Sequence, residues 1–570
     1  MADKNGKSGP RPAGQDELVF VALGGLGEIG MNVYLYGFGP EADRQWLMVD
    51  LGITFPGETE PGVDVVLPDL SFIEENPKSL IGIVLTHAHE DHIGAVVDLW
   101  PKLKAPLFAT PFTAGMVHSK SSEFGGKLKL PIKTVPLGGR VQIGPFDVEF
   151  VTMSHSVPEP SALMIRTPLG NILHTGDWKL DSQPLVGDPA NEARLQELGA
   201  EGVLALVCDS TNAFREGRSP SETEVARSIT ELIKQQKKRV AVTTFSSNVA
   251  RVKAVSDAAE ATGRELVVAG RSLHRVINVA IDTGYLPKNF RWLDQDQAQY
   301  LNARDTLLLC TGSQGEPRAA IARISANEHP AITLGKGDTV IFSSRTIPGN
   351  ERPVGRIQNN LARLGIDVIT DNEALVHVTG HPRRDELRQM YAWIKPKVAI
   401  PMHGEARHLK EQGRLAKAAG VPTVVEPLNG DMVLLAPGTA RIIDEVPVGR
   451  FFRDGSLIVP DDDGPVRERR KLMQVGMAMV AITLTPRGDV LGYPQVALDG
   501  VPQLGSRGEQ MYDIALDAVD GTLKSIPPAR RKDPEMVREA VRKAVRGAIA
   551  DAWGKKPIAK VLITMVEGKS

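Results

Sequence analysis

The sequence predicts an α/β protein of several domains, and three patterns carry that expectation. Between Leu18 and Asp177 short apolar runs recur, several of them ending in an Asp or a His. From Asp209 to Asp367 such runs alternate with amphipathic helical segments, the arrangement of a parallel, doubly wound sheet. From Met477 onwards strand and helix patterns read as a small α+β unit.

Bulk properties narrow the class. At 570 residues the chain exceeds one ordinary core, so roughly two to four domains are expected. A formal net charge of −2 gives no global basic footprint, so a nucleic-acid surface must be local. Cys208 and Cys310 each end an apolar run, which suits buried thiols in a reducing compartment and a cytoplasmic location. No apolar run reaches the ~18–20 residues of a membrane span, so no membrane partner is expected. Residues 1–17 are polar with Gly, Pro and Lys, and read as a disordered tail and not a signal peptide.

Leu18 to Leu23 reads as the first strand, followed by a glycine-rich stretch with G-x-G-x-x-G at Gly25, Gly27 and Gly30. A dinucleotide fingerprint needs a helix next. Met31 to Tyr36 instead alternates like a strand, so a hairpin bordering the active site is expected. Gln45 to Leu51 is another strand, and Asp50 near its end is placed to orient a metal ligand from behind.

Ile81 to Leu85 is an apolar, β-branched run, and Thr86 to Gly94 follows as T-H-A-H-E-D-H-I-G. Beyond it Val96, Val97, Leu99 and Trp100 have helical spacing, so the cluster occupies a strand-to-helix turn. His87, His89, Asp91 and His92 fall within six residues. Imidazole and carboxylate at that density suit zinc-like divalent ions, and the turn can feed two adjacent metals. Val148 to Met153 then leads to His155, and Asn171 to His174 leads to Asp177.

After the strand Gly202 to Cys208 and Asp209, Ser221 to Glu224 forms a capping box ahead of the stripe Val225, Ile229, Leu232, Ile233. Four loops at strand ends, Phe245 to Asn248, Gly270 to Ser272, Thr311 to Glu316 and Ser343 to Glu351, are rich in Ser, Thr, Gly, Asn and Arg. Such loops offer amides, hydroxyls and guanidinium to phosphate oxygens, so a polyanionic ligand is expected. Glu373 to Thr379 is read as a strand carrying His377 and delivering His381. A helix follows over Asp385 to Ile394, and Lys397 to Pro401 then delivers His403. His118, His174, His274, His329 and His408 have no ligand context and are read as ordinary. Pro437 to Lys471 is Gly-, Asp- and Arg-rich and reads as a linker with some strand, the linker itself being set at 451–473. Met477 to Thr485 is a strand, Asp533-Pro534 starts a helix with stripe Val537, Val541, Val545, Ile549, and Pro557 to Glu567 is the closing strand. The basic runs Arg467 to Lys471 and Arg530 to Lys532 are read as solvated faces.

The series Asp50, His87-x-His89-x-Asp91-His92, His155 and Asp177 resembles the motifs of the metallo-β-lactamase fold. Asp209, His381 and His403 resemble the further motifs of its β-CASP nuclease branch. The glycine hairpin, Thr379-Gly-His381, Pro401 to Glu405 and the separate C-terminal unit look like bacterial ribonuclease J. The arginines after Pro382 depart from the small or polar residues more usual in that family. The resemblance implies an αββα metallo-β-lactamase sandwich over residues 18–208 and 368–450, a doubly wound β-CASP insert at 209–367 and an α+β C-terminal domain at 474–570.

It also implies one divalent ion on His87, His89, His155 and Asp177, and a second on Asp91, His92, His403 and the shared Asp177, with zinc or manganese as the metal. The implied catalytic set is His381, Asp209, Asp91 and Asp50: a hydroxide activated by two metals attacks the phosphodiester, His381 serves the leaving 3′-oxygen, and Asp209 orients it. The implied RNA and phosphate contacts are Ser246, Ser247, Asn248, Ser344, Arg345, Asn350, His377, Thr379, Gly380 and His381. The expected substrate is single-stranded RNA with a 5′-monophosphate, trimmed 5′ to 3′ and also cut internally, in rRNA processing and mRNA decay. A homodimer or homotetramer through the C-terminal and β-CASP domains is expected, with RNA-decay proteins as partners. The competing readings are a lactamase- or thioesterase-type hydrolase of the same fold and a non-catalytic RNA-binding scaffold.

Overall fold

The computed structural model describes residues 14–123, 128–347, 349–461 and 464–566. Most of the expected tail, residues 1–13, lies outside them, as does Pro348 of one polar loop, and Glu17 already begins a strand. The chain divides into two compact units, residues 1–54 with 66–451, and residues 55–65 with 452–570.

The first unit contains two large sheets. One has eight strands, with Glu17–Gly24, Val33–Gly39, Gln45–Val49 and Leu80–Val84 as consecutive neighbours. The other has seven, with Phe146–Thr152, Ser161–Thr167, Gly170–His174, Ala205–Asp209 and Val398–Met402 in that order. Their inner faces share one core: Phe20, Tyr36, Leu47 and Val84 from the first meet Phe150, Ile165, Val207 and Ile400 from the second. The alternation of inward apolar residues along each strand makes such a face-to-face packing favourable. Helices Glu192–Glu201, Arg384–Ile394 and Ala406–Ala418 cover the outer face of the seven-stranded sheet through Leu195, Leu198, Met390, Ile394 and Leu415.

Between Ala205–Asp209 and Val398–Met402 the chain builds a six-stranded, all-parallel sheet with Val240–Thr243 and Thr306–Cys310 at its centre. The near-continuous apolar strands, Val240-Ala-Val-Thr and Thr306-Leu-Leu-Leu-Cys310, are buried on both faces, as parallel strands must be. Ser221 caps helix Glu222–Gln235 with Glu224 in the reciprocal contact, as the sequence predicts. Both cysteines are buried and free.

Two expectations change. Glu373 to Thr379 forms no strand: Glu373 N and Ala374 N both donate to Thr370 O in a turn, and Ser343 Oγ donates to Val376 O at 2.7 Å. Residues 451–473 carry the expected strand, Leu457–Pro460, but they are more than a linker, since they also contain most of helix Gly464–Val475. The Pro at the second position of that helix costs it no hydrogen bond, which is why a Pro- and Gly-bearing start still forms a helix.

In the second unit, strands Gln495–Asp499, Met477–Leu484 and Ile558–Met565 form one sheet. Helices Met511–Ser525 and Pro534–Trp553 pack on one face of it. Asp533 caps the second helix through Glu535 N and Met536 N, and the stripe Val537, Val541, Val545, Ile549 is fully buried. Among the described residues no helix is long and apolar enough to cross a membrane.

Candidate metal centre

The parallel strands of both large sheets end at one shared edge. Gln45–Val49 and Leu80–Val84, neighbours in the first sheet, deliver Asp50 and the His87–His92 turn. Gly170–His174, Ala205–Asp209 and Val398–Met402, neighbours in the second, deliver Asp177, Asp209 and His403. The antiparallel strand Phe146–Thr152 runs out towards His155 at the same edge. Strand ends from two packed sheets thus gather ligands that lie far apart in sequence.

Asp177 is the centre of the cluster. Its Oδ2 lies 3.3 Å from His92 Nε2, 3.4 Å from His403 Nε2, and 3.8 Å from both His87 Nε2 and His155 Nε2. On one side His89 Nδ1 sits 3.1 Å from His87 Nε2 and 3.0 Å from His155 Nε2. On the other, Asp91 Oδ2 sits 3.6 Å from His92 Nε2 and 3.9 Å from His403 Nε2. The ligand atoms of His87, His89, His155 and Asp177 all lie within 4.8 Å of one another, and so do those of Asp91, His92, Asp177 and His403. Asp177 Oδ1 is buried without a hydrogen-bond partner. Bare nitrogen lone pairs and an unpartnered carboxylate oxygen at these separations fit two divalent cations sharing Asp177.

Outer contacts determine which nitrogen each ring presents. His92 Nδ1 lies 2.7 Å from Asp50 Oδ2, so that nitrogen carries the proton. Asp50 also accepts from Thr86 N and Thr86 Oγ1 at 2.7 and 2.8 Å, and Thr86 Oγ1 is 3.0 Å from His87 Nδ1. His155 Nδ1 donates to Gly380 O at 2.6 Å. A Cβ on Gly380 would lie 2.3 Å from that ring, so only glycine fits. Likewise a Cβ on Gly52 would sit 1.7 Å from Asp91 O. Asp50 and His403 both adopt positive φ, 63° and 50°, a strain typical of a site over-determined by its surroundings.

The electrostatics agree with a metal site. Burial, and then the neighbouring histidines, hold His87 and His155 well below the usual imidazole pKa, and His89 is lowered to about 4, chiefly by burial. These rings are neutral donors at neutral pH. Asp177 stays ionised: burial opposes it, but His403, His92 and His381 hold its carboxyl well below the usual range. His92 is pushed the other way. Burial disfavours its charge, yet Asp177, Asp91 and Asp50 outweigh it and raise its pKa well above normal. Three carboxylates around one ring call for a cation there, which a metal ion satisfies in place of the proton.

Beside the cluster, His381 Nδ1 lies 2.7 Å from Asp209 Oδ2, and its ring stacks on His403 with centroids 5.4 Å apart. Burial lowers its pKa, but Asp209 and Asp177 reverse that and raise it to about 9. Asp209 is held by Thr211 N at 2.8 Å. Asn212 Nδ2 donates to Thr379 Oγ1 and His381 O at 2.9 and 3.2 Å, tying the 379–381 turn to the strand end.

The expected phosphate loops lie at the ends of the six-stranded sheet and alongside this turn. Asn248 caps the following helix with its side-chain oxygen, accepting from Arg251 N at 2.9 Å, and Ser246 and Ser247 beside it are half-buried. Gln314, unforeseen from sequence, braces the other loop: it donates to Arg345 O and accepts from Ile347 N, at 2.9 and 2.8 Å, with Asn350 Nδ2 at 3.4 Å. Ser344 is buried and Arg345 exposed. His377 has a buried Nδ1 without a partner, and its pKa is lowered to about 3 by burial and then by Arg251, Lys179 and Arg345. Arg251 and Lys179 are themselves buried, paired with Glu222 and Asp181 at 2.8 and 3.1 Å. His174, read as ordinary, is indeed a core residue bonded to Tyr36.

Sequence reasoning missed Asn32, Thr86, Ser156 and the carbonyl of Gly380, all of which touch ligands. Only Asn32 left a trace, as the lone polar residue of the otherwise apolar run Met31 to Tyr36.

Comparison with known proteins follows the same outline. The metallo-beta-lactamase superfamily matches residues 26–238, the ribonuclease J beta-CASP domain 237–361, the Zn-dependent metallo-hydrolase RNA specificity domain 365–427, and the ribonuclease J C-terminal domain 464–566. Ribonuclease J of Sinorhizobium meliloti is 50% identical over 99% of this chain and 100% of its own length. That of Mycolicibacterium smegmatis is 37% identical over 98% and 99%, and that of Thermus thermophilus 34% over 99% and 97%. A crystal structure of a protein of unknown function from Enterococcus faecalis shares the fold, with a TM-score of 0.50 and 16% identity, over 73% of this chain and 100% of that one.

Proposed function

The chain belongs to the ribonuclease J family, a metal-dependent hydrolytic ribonuclease acting on RNA, and from that premise we propose how it cuts and which RNA ends it prefers. We assign one ion to His87, His89, His155 and Asp177, and a second to Asp91, His92, His403 and the same Asp177, with zinc as the resident metal and manganese as the alternative. The observation that carries the assignment is the convergence of both ligand sets on Asp177 Oδ2. When bound, two such cations supply Lewis-acid activation of water and compensate charge on the phosphoryl oxygens.

The protein's own groups do the rest. Asp50 and Thr86 hold the His92 and His87 rings in the orientation that turns Nε2 towards Asp177. His381, kept protonated by Asp209, donates from Nε2 to the leaving 3′-oxygen, and the products carry a 5′-phosphate and a 3′-hydroxyl. Asp209 keeps Nδ1 occupied, so only Nε2 is available for that transfer. The 5′-monophosphate binds against Ser246, Ser247, Ser344, Arg345, His377 and the Thr379–His381 turn, where the exposed Arg345 guanidinium supplies a cation for the anion. A terminal phosphate seated there presents the first phosphodiester to the metals and favours 5′-to-3′ trimming; RNA threaded past it is cut internally. We further assign the enzyme to cytoplasmic RNA maturation and decay as a homodimer or homotetramer, with other RNA-decay proteins as partners.

The test compares 5′-monophosphorylated, 5′-triphosphorylated and circular RNA, with a β-lactam and a thioester beside them. Release of mononucleotides chiefly from the monophosphorylated strand, with slower cuts in the circle, supports the reading. Equal trimming of both linear RNAs removes the phosphate pocket. Turnover only of the lactam or thioester removes the nuclease mechanism as a whole.

A further inference from the structure

We propose that Asn32 is the positioning residue of the second metal site, determining through its amide which nitrogen His403 offers and where Asp91 stands. Asn32 is fully buried at the start of strand Val33–Gly39. Its Nδ2 faces Asp91 O at 3.1 Å and Asp91 Oδ2 at 3.3 Å, both of which only accept. The amide orientation is therefore determined by its partners: the NH2 end must point at Asp91 and the oxygen must point away. That oxygen accepts from the Tyr34 hydroxyl at 2.8 Å and lies 2.9 Å from His403 Nδ1. An amide oxygen cannot donate, so His403 carries its proton on Nδ1 and presents a bare Nε2, 3.4 Å from Asp177 Oδ2.

The backbone joins in. Asn32 N donates to Asp91 O at 2.9 Å, and Gly52 N donates to Asn32 O at 3.0 Å. His403, in its left-handed conformation, donates its own N–H to Gly25 O at 2.8 Å in the same glycine hairpin. Nδ2 also lies 3.0 Å from His92 Nε2. Asn32 thus touches Asp91, His92 and His403, the three ligands particular to one site. The rings particular to the other site have different supports: Thr86 for His87, Ser156 for His89 and Gly380 O for His155. Loss of the Asn32 amide should therefore act on one ion and spare its neighbour. The glycine-rich hairpin acquires a purpose from this: it brings both Asn32 Oδ1 and Gly25 O to His403, and Gly25 has no room for a side chain beside the Asn32 amide.

The inference rests on the two-metal reading above, and the experiment separates the two. Native protein, Asn32→Ala and Tyr34→Phe are stripped of metal, checked for matching thermal unfolding, and titrated with zinc against a chromophoric chelator. Cobalt-substituted samples report the two coordination environments spectroscopically. Native protein is expected to bind two ions. Asn32→Ala should keep one at native affinity and bind the other ~10–100-fold more weakly, the usual effect of removing a ligand's supporting contact. Tyr34→Phe, which keeps the amide and removes one bond to its oxygen, should weaken the same ion by a smaller factor, and it decides the matter should the alanine variant fail to fold. Native affinities in the variants, or equal weakening of both ions, overturn the assignment of Asn32. A native protein that binds fewer than two ions overturns the two-metal reading and this assignment with it.

Discussion

The carboxylate of Asp209 lies 2.7 Å from Nδ1 of His381, a contact that spans 172 residues of chain and the six-stranded parallel sheet built between them. With Asp177, that carboxylate favours the protonated form of the ring, the form the proposed proton transfer needs. The donor form of His381 exists below its pKa, raised to about 9, and is lost as pH rises through that value. Turnover should therefore hold through neutral pH and fall on the alkaline side. Asp209→Asn removes the charge that raises the pKa, so the alkaline limb should move to lower pH, as read from kcat profiles of the two proteins. His381→Ala should lower kcat by about 10²–10⁴-fold, the range for a lost proton donor, with RNA binding measured separately and largely kept.

Chelation should abolish cleavage, and added zinc or manganese should restore it. His87→Ala and Asp91→Ala each remove a ligand from a different set, and each should eliminate cleavage while leaving RNA binding measurable by anisotropy. Surviving cleavage in either variant would show that its ligand set is wrongly drawn.

Asp50 accepts from Thr86 N, Thr86 Oγ1 and His92 Nδ1 while fully buried. Asp50→Ala strands those donors at a cost of about 1–3 kcal/mol per group, a lower unfolding midpoint in denaturant. Metal affinity should drop as well, by ~10–100-fold, because His92 loses the partner that orients it.

Gly380→Ala places a methyl group 2.3 Å from the His155 ring. The clash should displace that ring and weaken the ion on His87, His89 and His155, with a stability loss of about 1–3 kcal/mol. Metal content after dialysis and thermal unfolding of the stripped protein check the two effects independently.

Arg345 is exposed on its loop, and its guanidinium contributes to the potential around His377. Arg345→Ala should reduce the preference for 5′-monophosphorylated over 5′-triphosphorylated RNA by roughly 10–100-fold, the worth of about 1.5–3 kcal/mol for a charge-assisted contact. Internal cutting of circular RNA should stay at the native rate, since no 5′ end takes part.

Much of this site is legible in the chain because its chemistry is written in residue types at strand ends. His87, His89, Asp91 and His92 are crowded into six positions that packing alone does not require, and His155, Asp177 and His403 repeat the pattern of apolar run then ligand. The glycine hairpin was readable too, since Met31 to Tyr36 alternates with the period of a strand and not of a helix. Where local pattern misled, tertiary context won. Glu373 to Thr379 has strand-like composition but forms no strand: its start turns back on Thr370 O, and Ser343 and Asn212 hold the rest through side-chain bonds.

By itself, then, the sequence determined which His and Asp residues stand at strand ends, the α/β layers and the nuclease family, because these follow from residue type, period and order along the chain. Only the tertiary structure decided which ligand stands opposite which, and which ring nitrogen each histidine presents. Those depend on partners far away in the chain: Asp50 behind His92, Gly380 O behind His155, Asn32 behind His403. The physical reason is that a histidine's proton goes to the nitrogen facing an acceptor, and that acceptor is chosen by the packing of two sheets, which no local spacing records.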